Sequence, residues 1–300
     1  MAVTLEQKIA DAEKILKLAA EMSEYYYHKP LIICYSGGKD SDVMLDIAKK
    51  CLNPNEFEIV NSHTTVDAPE TVYHIRDVFK ACEAEGIKTE VRMPRYKGEP
   101  TSMWKLIELK GMPPTRLTRY CCAYLKEVST PNRLIAVGVR ESEGVNRRNR
   151  DAFVLRGRKT ADAEVRSLQH TYAMFQLDKL GQEDAYECKL IEACKKNKDT
   201  ICNPIYKFTD DDIWDYVKIN KLKINPLYAR GYKRVGCIGC PMGGKRNQLQ
   251  EFSDYPKYKE NYIKAFERMK PSENNKRNLK SGEDWFNWWV GENPNQQTLF

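Results

Sequence analysis

Hydrophobic positions in the first half of the chain fall into short apolar runs separated by stretches of helical periodicity, as expected of strands buried on both faces and helices laid over them. Leu31, Ile32 and Ile33 form the first run; residues 57–60, 89–93 and 134–139 give further strands. Thr4 with Gln7 makes a capping box, after which Leu5, Ile9, Leu16, Ala19 and Met22 recur at near-helical spacing. Val43, Met44, Leu45 and Ile47 predict a helix after the first strand, and Pro69 opens another where proline is tolerated. Residues 101–110 read as a short helix ended by Gly111. Near Ala173 the alternation gives out. Beyond it Thr209 is a good N-cap for a helix with Ile213, Trp214 and Val217 on one face, and residues 262–269 and 285–289 predict two more helices. The pattern predicts an α/β fold, a mostly parallel twisted sheet with helices on both faces over residues 1–172. A mainly helical, cysteine-bearing part over 173–300 is expected to pack on that core.

The segment LIICYSGGKDSDVMLD (31–46) is strand, glycine turn, helix. Gly37 and Gly38 bring no side chains to the turn, so phosphate oxygens can approach the backbone amides at the helix start. Lys39 adds positive charge, and Ser36 and Ser41 add hydroxyl donors. Neither G-x-x-x-x-G-K-[ST] nor G-x-G-x-x-G occurs in the chain. In a parallel sheet the loops after the strands gather at one edge. Thr64, Thr65 and Asp67 after the second strand are therefore expected at the same ligand.

Composition narrows the class. With 41% hydrophobic and 30% charged residues and a mean hydropathy of −0.66, the 300-residue chain reads as soluble, with no membrane span. The N-terminal MAVTLEQKIADAEKI lacks a secretory apolar run, so a cytoplasmic location is expected. There, ten cysteines point to metal ligation, redox chemistry or burial rather than a disulfide framework. The net charge of +7 permits an anionic partner without demanding one. Residues 140–159 concentrate basic side chains, among them Arg147, Arg148, Arg150, Arg156 and Arg158.

SGGKDS resembles the pyrophosphate (PP) loop of the phosphoadenosine phosphosulfate (PAPS) reductase and ATP pyrophosphatase superfamily. Two further segments carry the likeness. HTTVDAPET is similar to the family's D-T-G-x-x-x-P-E-T, keeping Pro69, Glu70 and Thr71. Gly138, Arg140, Glu143 and Arg147 follow its G-x-R-x-x-E-S-x-x-R, with Gly144 where serine is usual. The resemblance implies an adenine nucleotide alpha hydrolase-like fold. Its nucleotide site would comprise Ser36, Gly37, Gly38, Lys39, Asp40, Ser41, Thr64, Thr65, Asp67, Gly138 and Arg140. The planar guanidinium groups of Arg140 and Arg147 suit bidentate contact with phosphate or sulfate.

Cys237 and Cys240 form a C-x-x-C pair flanked by glycines, half of a metal site. Cys121–Cys122 is the obvious partner group, with Cys194 and Cys202 next; adjacent cysteines suit a cubane better than a tetrahedral zinc. In the family, adenylyl-sulfate (APS) reductases use a Cys-Cys pair and a later C-x-x-C to hold a [4Fe-4S] cluster. The ATP pyrophosphatase of DNA phosphorothioation suggests instead Cys121, Cys194, Cys237 and Cys240, leaving Cys122 free. A [4Fe-4S] cluster is favoured over zinc. Cys34, Cys51, Cys82 and Cys188 read as small core residues.

A sulfonucleotide reductase of this family places its nucleophilic cysteine in a C-terminal E-C-G-L-H segment, and no cysteine follows Cys240. The expectation is therefore an ATP pyrophosphatase and sulfurtransferase that adenylates an acceptor, DNA or tRNA. Mg would bridge the phosphates, with Asp40 helping to hold it, and Lys39, Arg140 and Arg147 would act on the departing charge. The cluster or Cys122 would carry sulfur from a donor such as a cysteine desulfurase. PAPS or APS reduction is the alternative enzyme, and a nucleotide-binding sensor or defence-module subunit without turnover is the other class. A homo-oligomer is compatible with all three.

Overall fold

The computed structural model describes residues 3–126, 133–144, 151–155, 164–180, 200–270 and 279–291. In chain order the strands are β1 (Leu31–Cys34), β2 (Phe57–Ser62), β3 (Lys88–Arg92), β4 (Arg95–Tyr96), β5 (Glu99–Pro100), β6 (Leu134–Ala136), β7 (Phe153–Leu155), β8 (Glu164–Arg166) and β9 (Thr200–Cys202). Seven of them form one sheet, ordered β3-β2-β1-β6-β9-β7-β8, and β4 with β5 makes a separate hairpin. β1 is parallel to β2 and β6, and β6 is parallel to β9, while β7 runs antiparallel to both of its neighbours, β9 and β8. Leu31, Ile32 and Ile33 are wholly buried, as a central parallel strand covered by helices requires.

The helices are α1 (Leu5–Tyr27), α2 (Lys39–Cys51), α3 (Pro69–Ala84), α4 (Met103–Lys110), α5 (Leu168–Lys179), α6 (Asp210–Ile219), α7 (Lys245–Asp254), α8 (Pro256–Arg268) and α9 (Gly282–Val290). Local signals set several starts. Thr4 and Gln7 exchange capping-box hydrogen bonds at 3.3 and 3.0 Å, and Thr209 caps α6 through Asp212 N. α1 buries Leu16, Ala19 and Met22 of the predicted stripe together with Ala12 and Ile15, while Leu5 and Ile9 are partly buried against the core. In α6, Ile213 and Val217 are buried. No helix among the described residues is long and apolar enough to cross a membrane.

The strand order reverses between β1 and β6: the chain moves outward through β2 to β3 on one side and through β6 to β9 on the other. The C-terminal ends of β1 and β6 therefore border the crevice where open α/β sheets bind ligands. SGGKDS leaves β1, and Gly138–Val139–Arg140 follows β6.

Two compact units are interleaved along the chain. The first is drawn from Met1–Asn61, Tyr73–Glu90 and Ser129–Gly231, and the second from Ser62–Val72, Val91–Val128 and Tyr232–Phe300. Chain beyond residue 172 thus supplies β9 and α6 to the first unit, with β9 between β6 and β7. A three-residue strand is too short to show a period, which is why the apolar pattern seemed to end earlier. The second unit has its own aromatic core. Phe252, Tyr262, Phe266, Phe286 and Trp289 meet with ring centroids 4.8–6.2 Å apart, and the Trp289 indole N–H donates to the Pro114 carbonyl at 2.6 Å.

Candidate functional site

In the first unit the SGGKDS loop is tied by its own hydroxyl. Buried Ser41 accepts from the amides of Ser36 (3.3 Å) and Gly38 (3.1 Å) and donates to the Gly38 carbonyl (2.8 Å). Gly37 has φ of +71°, a conformation that side chains resist. The loop is also braced from the segment after α6. Asn225, wholly buried, donates to the Gly37 carbonyl at 3.0 Å and accepts from Leu227 N, while Tyr228 Oη accepts from Lys39 N at 3.0 Å. Gly138 lies close by; a Cβ there would stand 3.4 Å from the Asp40 backbone.

Charge converges on this loop. Lys39 Nζ donates to Asp210 Oδ1 at 2.9 Å and lies 3.4 Å from Asp40. Arg140 donates from its terminal nitrogen to the same Asp210 oxygen at 2.8 Å, and its Nε lies 2.7 Å from Asp40 Oδ1. That Nε makes no aligned hydrogen bond, so the Asp40 contact is an ion pair only. Lys39 and Arg140 are nearly buried, 6% and 3% exposed. Their charges would be costly there without these carboxylates. The Lys39 hydrogen bond, then the Lys39 and Arg140 charges, hold the Asp210 carboxyl below its usual range.

Beneath the loop, Tyr35, Asp42 and His74 form a buried cluster. Tyr35 donates to Asp42 Oδ1, which lies 3.0 Å from His74 Nε2. Burial first, then the Asp42 charge, pushes the Tyr35 phenol well up.

The second unit gathers thiols. The Cys121, Cys122, Cys237 and Cys240 side chains lie within electrostatic reach of one another: Cys121 is pushed up by its hydrogen bond to Cys122, by burial, and by the Cys122, Cys237 and Cys240 charges. Cys122 is held down to about 5, first by the bond from Cys121 and then, against burial, by Arg119, whose guanidinium donates to Cys122 Sγ at 3.3 Å. Lys126, reached by solvent although protein surrounds it closely, is kept charged chiefly by Cys237, then by Asp67 and Cys240. Cys237 Sγ donates to Thr64 Oγ1 at 3.4 Å, and Ile238 N donates to the Val66 carbonyl at 2.8 Å. Among the described residues, no three His, Cys, Asp or Glu side chains are grouped to hold a single metal ion.

The C-x-x-C turn is held by helices α7 and α8. Gly239 N donates to Glu251 Oε2 (2.6 Å), Gln248 donates to the Gly239 carbonyl (2.9 Å), and Tyr262 Oη donates to the Ile238 carbonyl (2.9 Å). Burial lifts Glu251 to about 7. Gly239 has φ of +74°, and a Cβ there would sit 2.4 Å from the Phe252 ring. Gly239→Ala is therefore expected to destabilise the second unit by about 2–4 kcal/mol through strain and overpacking. Urea unfolding followed by tryptophan fluorescence checks this, all five tryptophans but Trp214 lying in that unit.

The structure brings Ser36, Gly37, Gly38, Lys39, Asp40, Ser41, Gly138 and Arg140 together in the first unit, and Cys121, Cys122, Cys237 and Cys240 in the second. Thr64, Thr65 and Asp67, expected at the nucleotide, make their side-chain bonds inside the second unit. Thr64 meets Cys237, Thr65 Oγ1 accepts from Met103 N at 2.9 Å, and Asp67 accepts from Thr64 N at 2.9 Å. Thr65 adopts φ of +67°, unusual for a β-branched residue. Arg147, Cys188 and Cys194, with Arg148, Arg150, Arg156 and Arg158, lie outside the described residues. Cys202 sits in β9 with no exposure and packs as a core residue, as does Cys82, while Cys34 and Cys51 are half-buried. Sequence reasoning missed Asp210, Asn225, Tyr228 and His74. The run Asp210-Asp211-Asp212 was the one available signal, since a helix cap needs only one of those carboxylates.

A family model, the phosphoadenosine phosphosulfate reductase domain, matches residues 30–243. An uncharacterized protein of Methanocaldococcus jannaschii is 26% identical over 269 residues, covering 86% of this chain and 44% of that protein. The chain spans about half the length of the curated relatives it matches. Adenosine 5'-phosphosulfate reductase of Oceanobacillus iheyensis is 46% identical over 51 residues, 17% of this chain and 19% of the enzyme. Among solved structures, the U34-tRNA thiolase NcsA of Methanococcus maripaludis with its [4Fe-4S] cluster aligns over 89% of this chain and 84% of its own, at 14% identity and a TM-score of 0.41.

Proposed function

Because the chain belongs to the phosphoadenosine phosphosulfate reductase domain family, we propose that it is an ATP pyrophosphatase that adenylates an acceptor and delivers sulfur to it. The observation that carries this reading is the convergence of Lys39 and Arg140 on one point beside the SGGKDS loop. Two near-buried cations next to helix-start amides suit adjacent phosphate groups.

ATP enters as its magnesium complex, with the β- and γ-phosphates against the loop. An acceptor oxygen attacks the α-phosphorus; the bond to the bridging oxygen breaks, and its electron pair leaves on pyrophosphate. Lys39, Arg140 and the loop amides stabilise that growing charge. The terminal sulfur of the donor's persulfide then attacks the activated atom, and AMP leaves with the electron pair of the bond it held. A second thiol cleaves the remaining S–S bond, freeing the thiolated acceptor and leaving a disulfide on the donor. The acceptor is DNA or tRNA, and the sulfur donor is a protein such as a cysteine desulfurase.

The thiol group fits a cubane better than one ion. Cys121 feels the charges of Cys122, Cys237 and Cys240, and adjacent cysteines bind different irons of a cubane more readily than one tetrahedral ion. Cys121, Cys237 and Cys240 would hold a [4Fe-4S] cluster, with Cys122 or Cys194 as the fourth ligand. A cluster supplies a centre that binds sulfur or passes electrons. Should Cys194 be the fourth, Cys122 remains as the sulfur carrier.

Short, strong matches to adenosine 5'-phosphosulfate reductases favour a second reading, sulfonucleotide reduction. Product analysis separates the two. Pyrophosphate from ATP, rising when the right nucleic acid is added, and no sulfite from PAPS or APS with thioredoxin are expected. Robust sulfite release, with one sulfo group added to a cysteine outside the ligand set, would overturn the pyrophosphatase reading.

A further inference from the structure

Lys39 and Arg140 already share an anion that belongs to the chain. Asp210 Oδ1 accepts from both, at 2.9 and 2.8 Å. The partners differ in placement: the side chains of Lys39 and Arg140 are 7% and 3% exposed, whereas that of Asp210 is 70% exposed. The cations are thus nearly buried, while the carboxylate that joins them is open to solvent. Helix construction does not account for it. Thr209 caps α6, and it is Asp212 that returns the capping-box bond to Thr209 N and pairs with Lys8 at 2.5 Å. Arg140 is also paired without Asp210, through Asp40.

We propose that Asp210 is a specificity-determining residue, a resident stand-in for one phosphate group that competes for the Lys39 and Arg140 donors. The inference rests on the reading that nucleotide phosphates bind this loop. Any ligand that takes both donors must displace a carboxylate. A single phosphate exchanges one small anion for another and gains little. A pyrophosphate group replaces Asp210 and has further oxygens for the loop amides. Asp210 thereby sets the charge a ligand must carry, favouring di- and triphosphates over monophosphates. As pyrophosphate departs, the same carboxylate recaptures the two cations.

The test is calorimetric titration of the full chain with inorganic pyrophosphate and with orthophosphate. Asp210→Asn keeps the size and an acceptor oxygen while removing the charge; Asp211→Asn, the same charge change on an exposed neighbour, is the control. Two ion pairs whose carboxylate is 70% exposed while both cations are nearly buried predict that Asp210→Asn tightens pyrophosphate about fivefold. It should also narrow the preference for pyrophosphate over orthophosphate, while Asp211→Asn changes neither. Circular dichroism and thermal melting establish that both variants fold. Unchanged or weaker pyrophosphate binding in Asp210→Asn overturns the inference, and so does equal tightening in Asp211→Asn. A wild-type chain that binds neither pyrophosphate nor ATP would instead sink the functional reading on which it rests.

Discussion

Replacement of Lys39 by alanine is expected to lower pyrophosphate release from ATP by about 10²–10³-fold, the usual cost of deleting one preorganised donor to a developing anion. Lys39 is near-buried, begins α2 and points its ammonium at Asp210 and Asp40. Its removal takes away the charge that the proposed reaction sets against the leaving group and leaves Arg140 to balance both carboxylates. ATP affinity should fall as well, because the interaction also exists in the ground state. Lys39→Arg keeps the charge in a wider, planar group, so partial recovery is expected. Steady-state turnover and calorimetry with ATP, AMP and PAPS measure both effects. Turnover and affinity equal to the parent for every nucleotide would remove this loop from the chemistry.

With the proposed cluster in place, Cys237→Ser should abolish its iron chromophore and lower the melting midpoint by on the order of 10 °C, since ligand loss removes binding energy that is also folding energy. Cys237 is buried against Thr64, and the strand bridge between Asp67 and Cys237 fastens its turn to the loop after β2. A cluster held by Cys121, Cys237 and Cys240 would join the segments around 121 and 237–240 inside the second unit. Cys240→Ser should behave alike. Cys122→Ser is more informative: iron kept with activity lost makes Cys122 the sulfur carrier, whereas iron lost makes it a ligand. Anaerobic purification with iron, acid-labile sulfide and zinc analysis and a visible spectrum reads all three variants. Zinc in place of iron in the parent protein would refute the cluster.

The local devices of this protein are written in contiguous residues. Leu31, Ile32 and Ile33 form a buried strand because every side chain is apolar, and Gly37 then turns the chain because glycine enters φ of +71° without the steric cost that most side chains meet there. Thr4 with Gln7, and Thr209 ahead of α6, mark helix starts whose partners lie three residues away. The C-x-x-C pair is visible for the same reason. Each of these depends on neighbours in sequence, so the sequence by itself determined them. What the loop and the thiols touch was decided by the tertiary structure. Asp210 lies 171 residues from Lys39 and Asn225 lies 188 from Gly37; they meet because β9 pairs with β6 beside β1 and brings the following chain back to the strand ends. Thr64 and Asp67 follow a strand of the same sheet, yet the Asp67–Cys237 bridge and the Ile238 amide draw their loop into the second unit. Backbone pairing between segments 170 residues apart leaves no periodic trace in either segment, so only the folded chain could show which acceptor each buried cation and thiol meets.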